Sequence, residues 1–123
     1  MKTINIAIIE KSPLARVVLE DLLTKTNFNV VASTESIHYF LHQAKEQSID
    51  IPDICLFDTM EKIASIKSVR KYYPETKIAV YDPIGTEKKR RGLHLEHFDI
   101  YIPKPLKMEH WITILQNIIS RQE

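Results

Sequence analysis

The chain has 123 residues, of which 44% are hydrophobic and 27% charged, with 17 basic side chains against 16 acidic ones. That describes one globular domain, long enough to bury a single core and too short for two, and a net charge of +1 supplies no global field for nucleic acid or a membrane surface. A single cysteine excludes an internal disulfide and a multi-cysteine zinc site.

Ile4 to Ile9 is β-branched and apolar up to Glu10-Lys11, a first strand and not a signal peptide. Ser12-Pro13 starts a helix, Ser as N-cap and Pro at the first helical position, and Leu14, Val17, Val18 and Leu22 mark its apolar face to about Lys25. Phe28 to Ala32 gives a second strand. Ser33-Thr34-Glu35 leads into a second helix carrying Ile37, Phe40, Leu41 and Ala44 at the 3.6 period. Ile54-Cys55-Leu56-Phe57, after Pro52-Asp53, reads as a strand buried on both faces, with Cys55 an inert core thiol suited to a reducing cytoplasm. A third helix carries Ile63, Ile66 and Val69 and stops near Tyr72-Tyr73-Pro74.

Lys77 to Tyr81 is a fourth strand, ended by Asp82-Pro83-Ile84-Gly85. The charged segment from Thr86 to His97 is the place of a fourth helix. Ile100 to Ile102 is a fifth strand, and Pro103-Lys104-Pro105 leads to a fifth helix over Met108 to Ile119 with Trp111, Ile112, Leu115, Ile118 and Ile119 on one side. Alternation of strand and helix implies crossover connections. The expected fold is therefore a three-layer α/β/α sandwich around a five-stranded parallel sheet, with the whole of residues 1–123 as one domain. No segment approaches the roughly 20 apolar residues that cross a bilayer.

In such a sheet, chemistry gathers outside the carboxyl ends of the strands. Asp58 is the first polar group after the most apolar strand, and its plain alternative is a helix-capping Asp. Glu10 and Lys11 follow the first strand and Lys104 follows the fifth. Neighbouring strands lie about 4.8 Å apart, so these groups can meet in one crevice.

These residues resemble the receiver domain of two-component response regulators, a CheY-like (βα)5 fold of the flavodoxin type. Pro52-Asp53-Ile54-Cys55-Leu56-Phe57-Asp58 resembles the strand that ends in the phosphoacceptor, and Phe98-Asp99-Ile100-Tyr101-Ile102-Pro103-Lys104-Pro105 the strand that ends in the family's Lys-Pro. Ser12-Pro13-Leu14-Ala15-Arg16 and Phe28-Asn29-Val30-Val31 are similar to receivers of the NarL/FixJ type. The resemblance implies that Asp58 accepts a phosphoryl group from a histidine kinase and that Lys104 offsets its charge. It implies Mg²⁺ held by Glu10, Asp58 and the backbone carbonyl of Met60, and Tyr101 as the aromatic switch. It further implies a partner or homodimer face running from the fourth to the fifth helix.

The chain also departs from that pattern. Lys11 stands where the family has a second acid, Asp82 where it has Ser or Thr, and Thr59-Met60-Glu61-Lys62 lacks the usual Met-Pro and Gly. An ammonium at position 11 can neutralise Glu10 and Asp58 without a metal, and a carboxylate at position 82 would repel a phosphoryl group. The expectation is an atypical receiver, not an enzyme, that acts through protein contacts with impaired Mg²⁺-dependent phosphorylation at Asp58. A working phosphoacceptor is the first alternative. An Asp-nucleophile phosphohydrolase is the second, although such enzymes want a second Asp where Met60 stands.

Lys88-Lys89-Arg90-Arg91 could bind nucleic acid, but charge runs on helices are more often simply solvated, and the near-zero net charge argues against it. His38 and His42 are spaced for a metal, as are His94 and His97, without a third ligand at a convincing spacing. Neither glycine follows the first strand, which argues against a phosphate-binding loop.

Overall fold

The computed structural model describes residues 2–58, 63–81, 98–102 and 108–120, without the side chains of 58, 63, 108, 109, 118 and 120. Five parallel strands, β1 (Ile4–Ile9), β2 (Phe28–Thr34), β3 (Ile54–Asp58), β4 (Lys77–Tyr81) and β5 (Ile100–Ile102), form one sheet in the order β2-β1-β3-β4-β5. The helices are α1 (Pro13–Thr24), α2 (Ile37–Gln47), α3 (Ile63–Tyr72) and a last helix, α4 (Met108–Ser120). The charged segment expected as a further helix, with Lys88-Lys89-Arg90-Arg91, His94 and His97, lies outside the described residues.

Strand alternation sorts the core into two layers. Ile4, Ile6, Ile8, Ile54, Leu56, Ala79, Tyr81 and Ile102 pack under Leu19 and Leu23 of α1 and Leu115 of α4. Ala7, Ile9, Cys55, Phe57, Ile78 and Val80 pack under Phe40 and Ala44 of α2 and Ile66 and Val69 of α3. The three-layer sandwich expected from the alternation is the observed fold. Burial of Cys55 pushes its thiol pKa up, so the group stays a neutral core hydrophobe.

Two local expectations are corrected. Of the apolar face expected for α1, Leu14, Val17 and Val18 are 74%, 60% and 45% exposed and Leu22 is half-buried, while the buried residues are Leu19 and Leu23. Two apolar stripes overlap on α1, and the one that packs on the sheet carries Leu19 and Leu23, not the apolar residues of the helix's amino-terminal half. β2 runs two residues further than its apolar run, since Ser33 and Thr34 stay in register with Ile8 and Ile9. The α2 N-cap is accordingly Ser36, whose hydroxyl accepts from the Tyr39 N–H at 3.3 Å.

Connections are held by side chains that close the ladders. Asp53 accepts from the Asn5 N–H at 2.8 Å, the Thr76 hydroxyl donates to the Pro52 carbonyl at 2.7 Å, and Asp99 accepts from the Ile78 N–H at 2.7 Å and from Arg70 at 3.1 Å. α2 ends on Ser48 in the left-handed region, φ 50° and ψ 54°.

Candidate functional site

The register of the three central strands sets their carboxyl ends level. Ile9 pairs with Phe57, Phe57 with Val80, and Asp58 with Tyr81. Glu10, one step beyond Ile9, therefore stands beside Asp58, and Asp58 beside Tyr81. Asp58 is itself a ladder residue, the last of β3.

Glu10 is 6% exposed, which would be costly for a carboxylate without partners. Its own N–H extends the β1–β2 ladder by donating to the Thr34 carbonyl at 2.9 Å. Its Oε2 accepts from the Ser12 N–H at 2.7 Å, and its Oε1 accepts from the Tyr81 hydroxyl. Both carboxylate oxygens are thus engaged by the protein.

The loop that carries Glu10 is fixed from two sides. Ser12 caps α1, its hydroxyl accepting from the Ala15 N–H at 3.2 Å. Arg16, one turn into the helix, donates back to the Glu10 carbonyl and, at 3.3 Å, to the Lys11 carbonyl. The same Arg16 borders an open depression at the carboxyl end of β2, with Ser33, Thr34 and His42.

Tyr81 is 3% exposed. Its ring lies 4.8 Å from that of Trp111 on α4, tilted by 47°. Tyr81 shares the α1–α4 layer with Ile6 and Ile8, which is why its hydroxyl can reach a side chain at the end of β1. Sequence reasoning placed Tyr81 only as the end of a strand. The available signal was parity: Ala79 and Tyr81 on β4 and Ile6 and Ile8 on β1 fall on one face of a parallel sheet, and Glu10, just past β1, continues the same parity.

The other expected residues separate. Lys11 is exposed, with no ion pair among the described residues, and its pairing with Asp58 concerns a side chain that is not described. Tyr101 is half-buried opposite Val80 on the α2–α3 face, its ring 6.1 Å from Phe98, across the sheet from Tyr81. Lys104, Asp82 and Met60 lie outside the described residues. His38 and His42 are exposed, and among the described residues no three His, Cys, Asp or Glu side chains converge on a metal position.

Of the Mg²⁺ ligands that the resemblance implies, Glu10 alone has a described side chain, and its surroundings suit the ion poorly. A hard cation takes oxygen ligands with free lone pairs, usually several carboxylates and waters. Here the expected second acid is Lys11, and the described acid, Glu10, already accepts from a hydroxyl and an amide.

No family model and no curated protein matches the sequence. Solved structures do match over nearly the whole chain. A response regulator from Thermotoga maritima superposes with a TM-score of 0.75 at 20% identity, over 96% of this chain and 98% of that one. A CheY-like receiver domain protein from Methanospirillum hungatei gives 0.80 at 14% identity, over 98% and 97%. The RcsB response regulator of Salmonella typhimurium gives 0.81 at 15% identity, with 98% of this chain matching 62% of that longer one.

Proposed function

We propose that this chain, which has the fold of response-regulator receiver domains, is a receiver-like signalling module that acts through protein contacts and does not run on Mg²⁺-dependent phosphorylation of Asp58. The observation that carries this reading is Glu10. In a phosphoryl-transfer site of this geometry the acid at the end of β1 has to be available to a metal that offsets the incoming charge. Here its two oxygens accept from Ser12 and Tyr81, and its neighbour is Lys11.

The switch, on this reading, is the crevice itself. Glu10, Asp58 and Tyr81 line the ends of three adjacent strands, and Tyr81 packs on Trp111. A partner that favours one arrangement of this corner over another shifts the population between them, and needs only differential affinity to do so. The partner class is a signalling protein, a histidine kinase included.

The second reading, a working phosphoacceptor, draws on the position of Asp58 at the carboxyl end of the sheet's central strand. The two are separated by intact-mass measurement after incubation with acetyl phosphate and Mg²⁺, beside an Asp58→Asn control. The proposal expects no added phosphoryl group; a stoichiometric gain that the control lacks establishes the second reading. Turnover of a generic phosphate ester that is lost in the same control would instead make the chain an Asp-nucleophile phosphohydrolase.

A further inference from the structure

The obvious account of why a cation would not settle at the crevice is Lys11, an ammonium in the place of an acid. The structure shows a second obstacle that does not depend on it. Lys11 is exposed, whereas the Tyr81 hydroxyl is bonded to Glu10 in a corner where both residues are buried. Exchanging Lys11 for an acid would add a ligand and remove a positive charge, and it would leave both oxygens of Glu10 where they are.

We infer that Tyr81 is the residue that withholds Glu10 from metal coordination, so that a divalent-cation site at the end of β1 is governed by positions 11 and 81 together. This rests on the reading of the crevice given above. Tyr81 is well held for the task. Its Cα is fixed in the β4 ladder opposite Asp58 on one side and Ile102 on the other. Its ring is backed by Trp111, and the residue is 3% exposed. A cation that took Glu10 Oε1 as a ligand would compete with the hydroxyl for that oxygen, a cost added to the cation's own reluctant dehydration. Removing the hydroxyl while keeping the ring releases Oε1 and preserves the packing.

The ring contact also gives the corner a built-in reporter. Trp111 is the chain's single tryptophan, and it lies against the residue that changes partners.

The test is calorimetric titration of the 123-residue chain with MgCl₂ alone, with Trp111 emission followed in parallel. The variants are Lys11→Asp, Tyr81→Phe, the two combined, and that pair with Glu10→Gln added. The expected result is that the combined variant binds Mg²⁺ roughly tenfold or more tightly than Lys11→Asp alone, in the range seen when groups that orient a metal ligand are changed. Adding Glu10→Gln is expected to abolish the gain. Should Tyr81→Phe not fold by circular dichroism, Tyr81→Leu, which also lacks the hydroxyl, takes its place. Equal affinities for Lys11→Asp and the combined variant overturn the inference, as does a gain that survives Glu10→Gln. Tight Mg²⁺ binding by the unmodified chain, lost on Glu10→Gln, overturns the reading of the crevice on which the inference stands.

Discussion

The Tyr81 hydroxyl donates to Glu10 Oε1 across the carboxyl end of the sheet, from β4 past β3 to the residue that follows β1. Seventy-one positions separate the two residues in sequence, and one hydrogen bond ties the strand ends on which the family's chemistry would be built.

This bond carries stability as well as position. Tyr81→Phe leaves one oxygen of a buried carboxylate without its donor, which is expected to cost about 1–3 kcal/mol. Glu10→Gln is expected to cost at least as much as Tyr81→Phe, because its single amide oxygen can accept from only one of the two donors and its NH2 faces the other. Urea denaturation of both variants checks the order; equal stability of Tyr81→Phe and the unmodified chain would show that the bond contributes nothing.

The two faces of α1 differ in what they cost to truncate. Val17→Ala and Val18→Ala, on the exposed stripe, are expected to change stability by no more than about 0.5 kcal/mol. Leu19→Ala and Leu23→Ala, under the sheet, are expected to cost about 2–5 kcal/mol each. Thermal denaturation of the four variants reads the difference directly.

How much of this was legible in the sequence divides along physical lines. Period and propensity suffice where an element has one apolar stripe, as in α2 with Ile37, Phe40 and Ala44, or where a strand is apolar throughout, as in β3. They fail for α1, where two stripes compete and only the sheet decides between them. They also shorten β2, because a ladder hydrogen bond does not require an apolar side chain and Ser33 and Thr34 keep theirs. At the site, Glu10 and Asp58 could be placed from strand ends. The role of Tyr81 could not, since a tyrosine that closes an apolar strand looks like core until the register brings its hydroxyl to an acid.

Ser48 ends α2 in a left-handed conformation that its Cβ disfavours. Ser48→Gly is expected to raise stability by about 0.5–1 kcal/mol, net of the entropy that glycine adds to the unfolded chain. A shift of the urea midpoint upward, with unchanged slope, is the expected reading; a downward shift would mean that the Ser48 side chain has a stabilising contact.

Cys55 makes stability fall in alkali. Burial raises its pKa in the folded chain, so above the ordinary thiol value of 9.0 the unfolded chain has lost a proton that the folded chain retains. The unfolded state then binds fewer protons, and stability declines as pH rises through that value, by up to about 1.4 kcal/mol per unit for this group. Tyr73, also raised, chiefly by burial and then by Tyr72 and Cys55, adds a further decline at higher pH. Urea midpoints on either side of pH 9.0 are expected to converge in Cys55→Ala relative to the unmodified chain; identical pH profiles would place the alkaline loss elsewhere.

On the proposed reading, the crevice is closed to metal and phosphoryl chemistry by its own side chains. The most direct measurement is the amide spectrum of the ¹⁵N-labelled chain before and after addition of Mg²⁺ with beryllofluoride, which mimics a bound phosphoryl group. No change is expected at Glu10, Ser12, Asp58 and Tyr81. Concerted shifts at those four residues, saturating with ligand and lost in Asp58→Asn, would contradict that reading and establish a working receiver.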